Sequence, residues 1–342
     1  MSDRDDRYDR TIDGTIRYSF VIPVFNEQET LPELWSRLTA VIDELDGPAE
    51  VLFVDDCSAD GTRELLLALQ RDDPRVRVIR FARNFGHQVA ISAGLDFAVG
   101  EAVIVMDGDL QDPPEIVPDL VAKWREGFEV VYAVREHRHG ESWLKRVTAG
   151  AYYRMLQKLS SVEIPVDVGD FRLVDRRALD TFRSMRERNR YVRGMFSWIG
   201  FKQTGVEYAR AERYAGKPKY SYRKSLRLAM DGLVSFSNVP LRLALVWGFV
   251  FSVVSFIAGI AAIVAKLEGA FVVPGWASIV VAVTFLGGIQ LMVLGMMGLY
   301  VARIYDEVKS RPLYVIREAH GLTPGAAIGP EEPNPLAVIQ RT

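Results

Sequence analysis

At 342 residues the chain has room for one large or two modest domains, and 42 basic against 44 acidic side chains leave a net charge of −2. That balance gives no global sign of nucleic acid binding, and the single cysteine, Cys57, excludes an internal disulfide framework and fits a reducing compartment. Residues 1–17 are rich in Asp and Arg without an apolar run, so they read as a mobile tail and not as a cleavable signal peptide.

Strand and helix patterns then alternate. Tyr18 to Val24 (YSFVIPV) predicts a first strand, and Leu31, Leu34, Trp35, Leu38, Val41, Ile42 and Leu45 recur at helical spacing behind it. Glu50 to Val54 predicts a second strand and Gly61 to Gln70 a second helix; Val76 to Ile79 and Gln88 to Val99 repeat the pair. Ala102 to Met106 is an unbroken apolar run, the pattern of a strand buried on both faces. Four alternations with short links predict an α/β fold, a mostly parallel sheet covered by helices on both faces. Further on, Glu129 to Val134 predicts another strand ending at Arg135, and Trp143 to Leu159 a helix carrying Lys145 and Arg146.

The loops after these strands hold the chemistry. Neither a Gly-x-Gly-x-x-Gly turn nor a phosphate loop of the Gly-x-x-x-x-Gly-Lys-Ser/Thr type occurs. Instead the second strand opens into Asp55-Asp56-Cys57-Ser58-Ala59-Asp60-Gly61-Thr62, whose paired carboxylates can accept hydrogen bonds from a base or ribose. Ser58 and Asp60 have the simpler role of helix caps open to them. In Arg83-Asn84-Phe85-Gly86-His87 a cation stands beside a small residue, a diphosphate contact. The fourth strand stops at Asp107-Gly108-Asp109, followed by Pro113-Pro114, at the strand end where open α/β sheets bind ligands. In an extended segment residues two apart point the same way, so both carboxylates would face one divalent ion, Mg²⁺ or Mn²⁺, shared with substrate phosphates. Gly108 would let the backbone approach whatever sits there. A plain acidic turn is the alternative.

Two stretches, Leu243 to Ala265 and Trp276 to Ala302, are apolar and uncharged, each exceeding the ~20 residues that cross a bilayer. A pair of buried helices is the alternative, but Gly287, Gly288, Gly295 and Gly298 favour membrane helices packed together. Basic residues cluster outside this hairpin, among them Lys217, Lys219, Arg223, Lys224 and Arg242 before it and Arg303, Lys309 and Arg311 after it, which predicts cytoplasmic flanks and termini. Between Tyr220 and Val239, Leu226, Met230, Leu233 and Val234 share one face of a basic amphipathic helix suited to the cytoplasmic leaflet.

Taken together, Val21-Ile22-Pro23-Val24-Phe25-Asn26-Glu27, Asp55-Asp56-Cys57-Ser58 with Asp60-Gly61-Thr62, Arg83-Asn84-Phe85-Gly86 and Asp107-Gly108-Asp109-Leu110-Gln111-Asp112-Pro113-Pro114-Glu115 resemble family 2 glycosyltransferases with the GT-A fold. The closest branch is the polyprenyl-phosphate glycosyltransferases, and the likeness spans about Tyr18 to Arg317. Gly108 stands where Ala is common and His87 where the family often has Lys. The resemblance implies that Asp107, Asp109 and Gln111 hold the metal and that Pro23, Phe25, Glu27, Asp55, Asp56, Arg83, Asp107, Gly108 and Asp109 line the donor site. A UDP-sugar, glucose by the same likeness, is the implied donor, and an undecaprenyl or similar polyprenyl phosphate the acceptor in cell-envelope chemistry.

Within Gly169-Asp170-Phe171-Arg172-Leu173, Asp170 resembles the acceptor-side aspartate, catalytic together with Asp109. A phosphate monoester has a second pKa near ~6, so the lipid phosphate needs little deprotonation and Asp170 reads better as an orienting group than as a base. Arg135, Arg146, Arg190, Arg193, Lys217 and Lys219 are the cations available to lipid phosphate or diphosphate, though membrane topology alone also explains such residues.

The expected layout is a tail (1–17), a cytosolic catalytic domain (18–219), an amphipathic juxtamembrane segment (220–240), a transmembrane hairpin (241–303, with spans near 243–265 and 276–302) and a cytoplasmic C-terminal segment (304–342) that is largely disordered after 320. The expected setting is the cytoplasmic membrane, with a homo-oligomer, a tetramer by resemblance, and no nucleic acid. A processive polysaccharide synthase would need Gln-x-x-Arg-Trp and more spans, and neither is present; a membrane-anchored binding protein without catalysis is the other alternative.

Overall fold

The structure, a computed structural model, describes residues 16–135, 168–188, 190–208, 275–322 and part of 246–264. The chain divides into two compact units, one of Met1–Tyr153, Val162–Tyr220 and Pro312–Thr342, the other of Arg154–Ser161 and Ser221–Arg311. The predicted Trp143–Leu159 helix, the amphipathic segment 220–240, and the tails 1–15 and 323–342 lie outside the described residues.

The first unit is built on an eight-stranded sheet ordered β7-β5-β6-β4-β1-β2-β3-β8. Its parallel centre is β1 (Tyr18–Val24), β2 (Ala49–Asp55), β3 (Val76–Phe81) and β4 (Ala102–Val105), all close to prediction. Successive residues along these strands face opposite sides. Phe20, Ile22, Val51 and Phe53 join one core under α1 (Leu31–Glu44), α2 (Thr62–Asp72) and α4 (Val117–Arg125). Leu52, Val54, Ile79 and Phe81 join a second core under α3 (His87–Phe97). The helices therefore cover both faces, as the continuous apolar strands require.

Three strands complete the sheet. β5 (Val130–Arg135) was expected, whereas β6 (Val168–Asp175) inserts antiparallel between β4 and β5, and β7 (Gln203–Tyr208) runs parallel to β5. At the other edge β8 (Ile316–His320) lies antiparallel to β3. It belongs to the segment read from sequence as a C-terminal tail. Two short helices follow β6: α5 (Arg176–Ser184), capped by the Asp175 carboxylate accepting from the Arg177 N–H at 2.9 Å, and α6 (Val192–Trp198).

In the second unit α7 (Trp276–Val308) is long and apolar enough to cross a membrane, the one such helix among the described residues. Phe285, Leu291, Leu294 and Val301 on it are exposed. The first predicted span falls largely outside the described residues, so the two-helix hairpin stands as an expectation.

Gly94 shows how tightly α3 meets the sheet: a Cβ there would lie 2.2 Å from Val21 Cγ1. We therefore expect Gly94→Ala to destabilise the first unit by about 1–3 kcal/mol, despite alanine's better helix propensity, read as a lowered midpoint in denaturant unfolding.

Candidate functional site

The loops after β1 and β2 are zipped together by side-chain-to-backbone bonds. The Asn26 N–H donates to Ser58 Oγ (2.9 Å), the Ala59 N–H to Asn26 Oδ1 (2.8 Å), the Glu27 N–H to Thr62 Oγ1 (2.9 Å) and the Gly61 N–H to Gln28 Oε1 (2.8 Å). Asn26 (φ 55°) and Cys57 (φ 64°) hold left-handed backbone, which costs asparagine least and cysteine more.

Asp55 and Asp56 serve this architecture. Asp55 has no exposed surface; its oxygens accept from the Ser58 N–H (2.8 Å) and Arg80 Nε (2.9 Å). Asp56 accepts the N–H groups of Phe85 (2.6 Å) and Gly86 (2.9 Å), which ties the β2 loop to the β3 loop. Burial raises the Asp56 carboxyl, and those two N–H groups pull it back down. Both side chains are buried and brace the loops from beneath. Glu27 Oε2 accepts from Thr30 Oγ1 (2.9 Å), and Arg83 stacks over the Phe85 ring at 3.9 Å and donates to its neighbour's carbonyl, Asn84 O (3.0 Å).

Past β4 the geometry departs from the extended-strand argument. β4 ends at Val105, and Asp107-Gly108-Asp109 forms a turn, with Leu110 at φ 59°. The period-two rule of a strand therefore does not apply to Asp107 and Asp109. Gly108 is close to its own protein: a Cβ there would meet Val24 Cγ1 at 3.1 Å and Pro23 O at 3.3 Å. Asp109 Oδ1 accepts from the Gln111 N–H (3.2 Å), closing the turn. Asp112, fully buried, accepts from the Tyr208 hydroxyl at 2.6 Å and so fastens the turn to the end of β7.

Asp107 and Asp170 are bridged by a side chain that sequence reading set aside. His87 Nε2 stands 3.4 Å from Asp107 Oδ1 and 3.3 Å from Asp170 Oδ2. Asp170, at the buried start of β6, also accepts from Gln88 Nε2 (3.1 Å) and from Arg193 Nε and Nη2 (2.9 and 3.2 Å). Buried Arg172 fixes the backbone beneath, donating to Gly169 O (2.9 Å) and Asp170 O (3.3 Å), and burial lowers its own pKa to about 10. Burial opposes charge on Asp170, yet Arg193 and His87 hold its carboxyl well below the usual range. Burial pushes the Asp107 carboxyl up to about 7; His87 draws it down, while Asp112, Asp170 and Asp109 add to the rise. Burial disfavours the charged imidazole of His87, but Asp107 and Asp170 outweigh it and raise the group to about 9.

Among the described residues no three His, Cys, Asp or Glu side chains form a ready metal cage. Two carboxylates suit a hard divalent ion: Asp107 Oδ1 is buried and accepts no hydrogen bond, its nearest cation being His87 Nε2 at 3.4 Å, and oxygens of a bound diphosphate can complete such a shell.

The expected phosphate-binding cations fare differently. Arg193 faces Asp170. Arg190 leaves the set, because it is buried against the Phe182 ring and donates to Met185 O (2.6 Å). Arg146, Lys217 and Lys219, and the side chain of Arg135, lie outside the described residues. Gln88 and Arg172 carry no assigned role in the sequence: Gln88 reads only as the start of a helix and Arg172 only as a member of the segment that carries Asp170.

A mostly parallel sheet with helices on both faces and an acidic turn past the carboxyl end of a central strand, where open α/β sheets bind ligands, fits a GT-A-like fold. The chain belongs to glycosyl transferase family 2, whose family model matches residues 19–183. It is an enzyme of the polyprenyl-phosphate glycosyltransferase branch. It is 47% identical over 307 residues to the uncharacterized glycosyltransferase YkcC of Bacillus subtilis, covering 90% of this chain and 95% of that one. It is 41% identical over 305 residues to the SfII prophage-derived bactoprenol glucosyl transferase of Shigella flexneri (89% and 99% covered). A prophage bactoprenol glucosyl transferase homolog of Escherichia coli K12 is also 41% identical, over 302 residues (88% and 99%).

The His87 bridge has a pH signature. A raised native pKa means that its stabilisation is complete below the unfolded value of 6.5 and lost as pH rises through about 9. In metal-free buffer, the difference in unfolding free energy between wild type and His87→Gln should fall as pH rises through about 9, measured by denaturant titration across pH.

Proposed function

We propose that this protein transfers a sugar from a nucleotide-sugar, a UDP-sugar with glucose the first candidate, to a polyprenyl phosphate at the cytoplasmic face of the membrane, with inversion and with Mg²⁺ or Mn²⁺. The observation that carries the reading is the juxtaposition, past the end of β4, of Asp107 and Asp170, joined through His87, with Asp170 held ionised by Arg193. The acceptor follows from two relatives named for bactoprenol glucosyl transfer, which match over nearly their whole length. Anchoring at a bilayer is supported by α7. Assembly of copies into an oligomer is part of the same proposal and rests on resemblance alone.

Asp107 and Asp109 would hold the cation, with Gln111 beside them; when bound it supplies Lewis-acid stabilisation to the departing diphosphate. The chain's own residues do the rest. The zipped loops at Asn26–Thr62 present a rigid floor for the nucleoside, and rigidity keeps the reacting carbon in line. Asp170, held well below neutral pKa, is a weak proton acceptor, and a phosphate whose second pKa is near ~6 does not need one. Its part is to orient: it fixes Arg193 and His87, two cations facing the space where phosphate oxygens must gather. Arg193 therefore acts through its pairing with Asp170, and its loss should lower kcat and not only weaken lipid binding.

Purified protein should transfer radiolabelled glucose from UDP-glucose to undecaprenyl phosphate, lose transfer in EDTA and regain it with Mg²⁺ or Mn²⁺. Asp109→Asn should lower kcat by about 100-fold or more with the fold intact by circular dichroism. Full activity in EDTA, or wild-type rates in Asp109→Asn, would remove the metal from the proposal. Retained anomeric configuration in the product would remove inversion, and a panel of UDP- and GDP-sugars tests the donor.

A further inference from the structure

The C-terminal strand reaches the donor loops through an unbroken line of charged contacts. β8 pairs antiparallel with β3, and Glu318 stands directly opposite Arg80 in the ladder. Glu318 Oε2 accepts from Arg63 Nε (3.0 Å) and Nη2 (2.8 Å), while Oε1 lies 3.5 Å from Arg80 Nη1. Arg80 then donates through Nε to Asp55 Oδ2 (2.9 Å) and through Nη2 to Ser58 O (3.1 Å). Asp55 in turn receives the Ser58 N–H, and the Ser58 hydroxyl receives the Asn26 N–H. Each link is buried or half-buried, where a charge-assisted contact keeps more of its strength than at an exposed surface.

Other contacts dock the same segment. Tyr314 stacks on Phe81 with ring centroids 5.3 Å apart, and its hydroxyl donates to Asp96 at 2.9 Å. Ile316 joins the second core. β8 is thus held independently of Glu318, so the carboxylate is available for a task other than attaching the strand.

We infer that Glu318 and Arg80 are positioning residues for the nucleotide-sugar: the C-terminal strand sets the conformation of the Asp55–Ser58 turn, and through it donor affinity. The geometry explains why Asp55 is sealed from solvent although it stands in a donor-site motif. Its carboxylate is the joint between Arg80 and the turn, not a contact to the base. Arg80 is suited to this because its planar guanidinium serves the carboxylate and a carbonyl at once, which a lysine ammonium on its flexible stem does not reproduce.

The inference rests on the reading that the Asn26–Thr62 loops receive the nucleoside, and the experiment separates the two. Hydrogen exchange of the full-length protein with and without UDP should show protection in residues 26 and 55–61; protection confined elsewhere would overturn the pocket reading and this inference with it. Steady-state kinetics then test the relay alone. Glu318→Gln, which keeps the shape and removes the charge, should raise the UDP-sugar KM about tenfold, with kcat and the polyprenyl phosphate KM within about twofold of wild type. Arg80→Lys keeps the charge but loses the fork, and should shift the donor KM in the same direction even where the first variant folds poorly. A purely structural role would reduce the active fraction and leave donor KM unchanged. That result, in the presence of UDP protection at the loops, would overturn the relay and spare the pocket.

Discussion

Four carboxylates, Asp107, Asp109, Asp112 and Asp170, influence one another around the turn that follows β4. Like charges gathered in a partly buried space repel, and an anionic diphosphate approaching them would meet more of the same. The fold answers with specific counterweights. Arg193 and His87 bracket Asp170, and Tyr208 donates to Asp112. Asp107 Oδ1 accepts no hydrogen bond and has His87 Nε2 3.4 Å away as its counterweight. The site is best understood as a charge imbalance with a shape, held by neighbours whose own backbone is pinned.

That pinning comes from the sheet. The parallel centre delivers three loops to one edge, and Asp56 links two of them by receiving the Phe85 and Gly86 N–H groups. The antiparallel insertion of β6 beside β4 carries Asp170 to the same edge from a different part of the chain. Arg172, one face-alternation further along β6, holds the carbonyls of Gly169 and Asp170 so that the carboxylate presents a defined direction. Functional side chains here rest on strands and on hydrogen-bonded turns, the arrangement that limits positional error at a reacting centre.

The parallel half was readable from sequence because buried strands and amphipathic helices each leave a period. β1 to β4 and their helices fall within a few residues of expectation, and the motif residues of the loops all appear at the same sheet edge. β6, β7 and β8 were less legible for a common reason: each is paired with a strand distant in sequence, and no local pattern states the partner. The extended-segment argument for Asp107 and Asp109 does not hold, because the strand ends at Val105 and the chain turns, with Leu110 in left-handed backbone. His87 reads from sequence only as standing where the family often has Lys, and its place between two acids could not be read from spacing. Arg190, read from sequence as a cation for lipid phosphate or diphosphate, is buried beside the Phe182 ring.

The position of β8 has a consequence for how the molecule comes into being. The edge of β3 that it covers is translated within the first quarter of the chain, whereas β8 emerges only after the apolar helix α7 has left the ribosome. Until then the nascent sheet carries an open, pairing-competent margin of the kind that invites association with other strands. Completion of the sheet is therefore deferred to the end of synthesis, so a chain arrested before residue 316 would carry an uncapped edge and be the natural prey of chaperones and proteases.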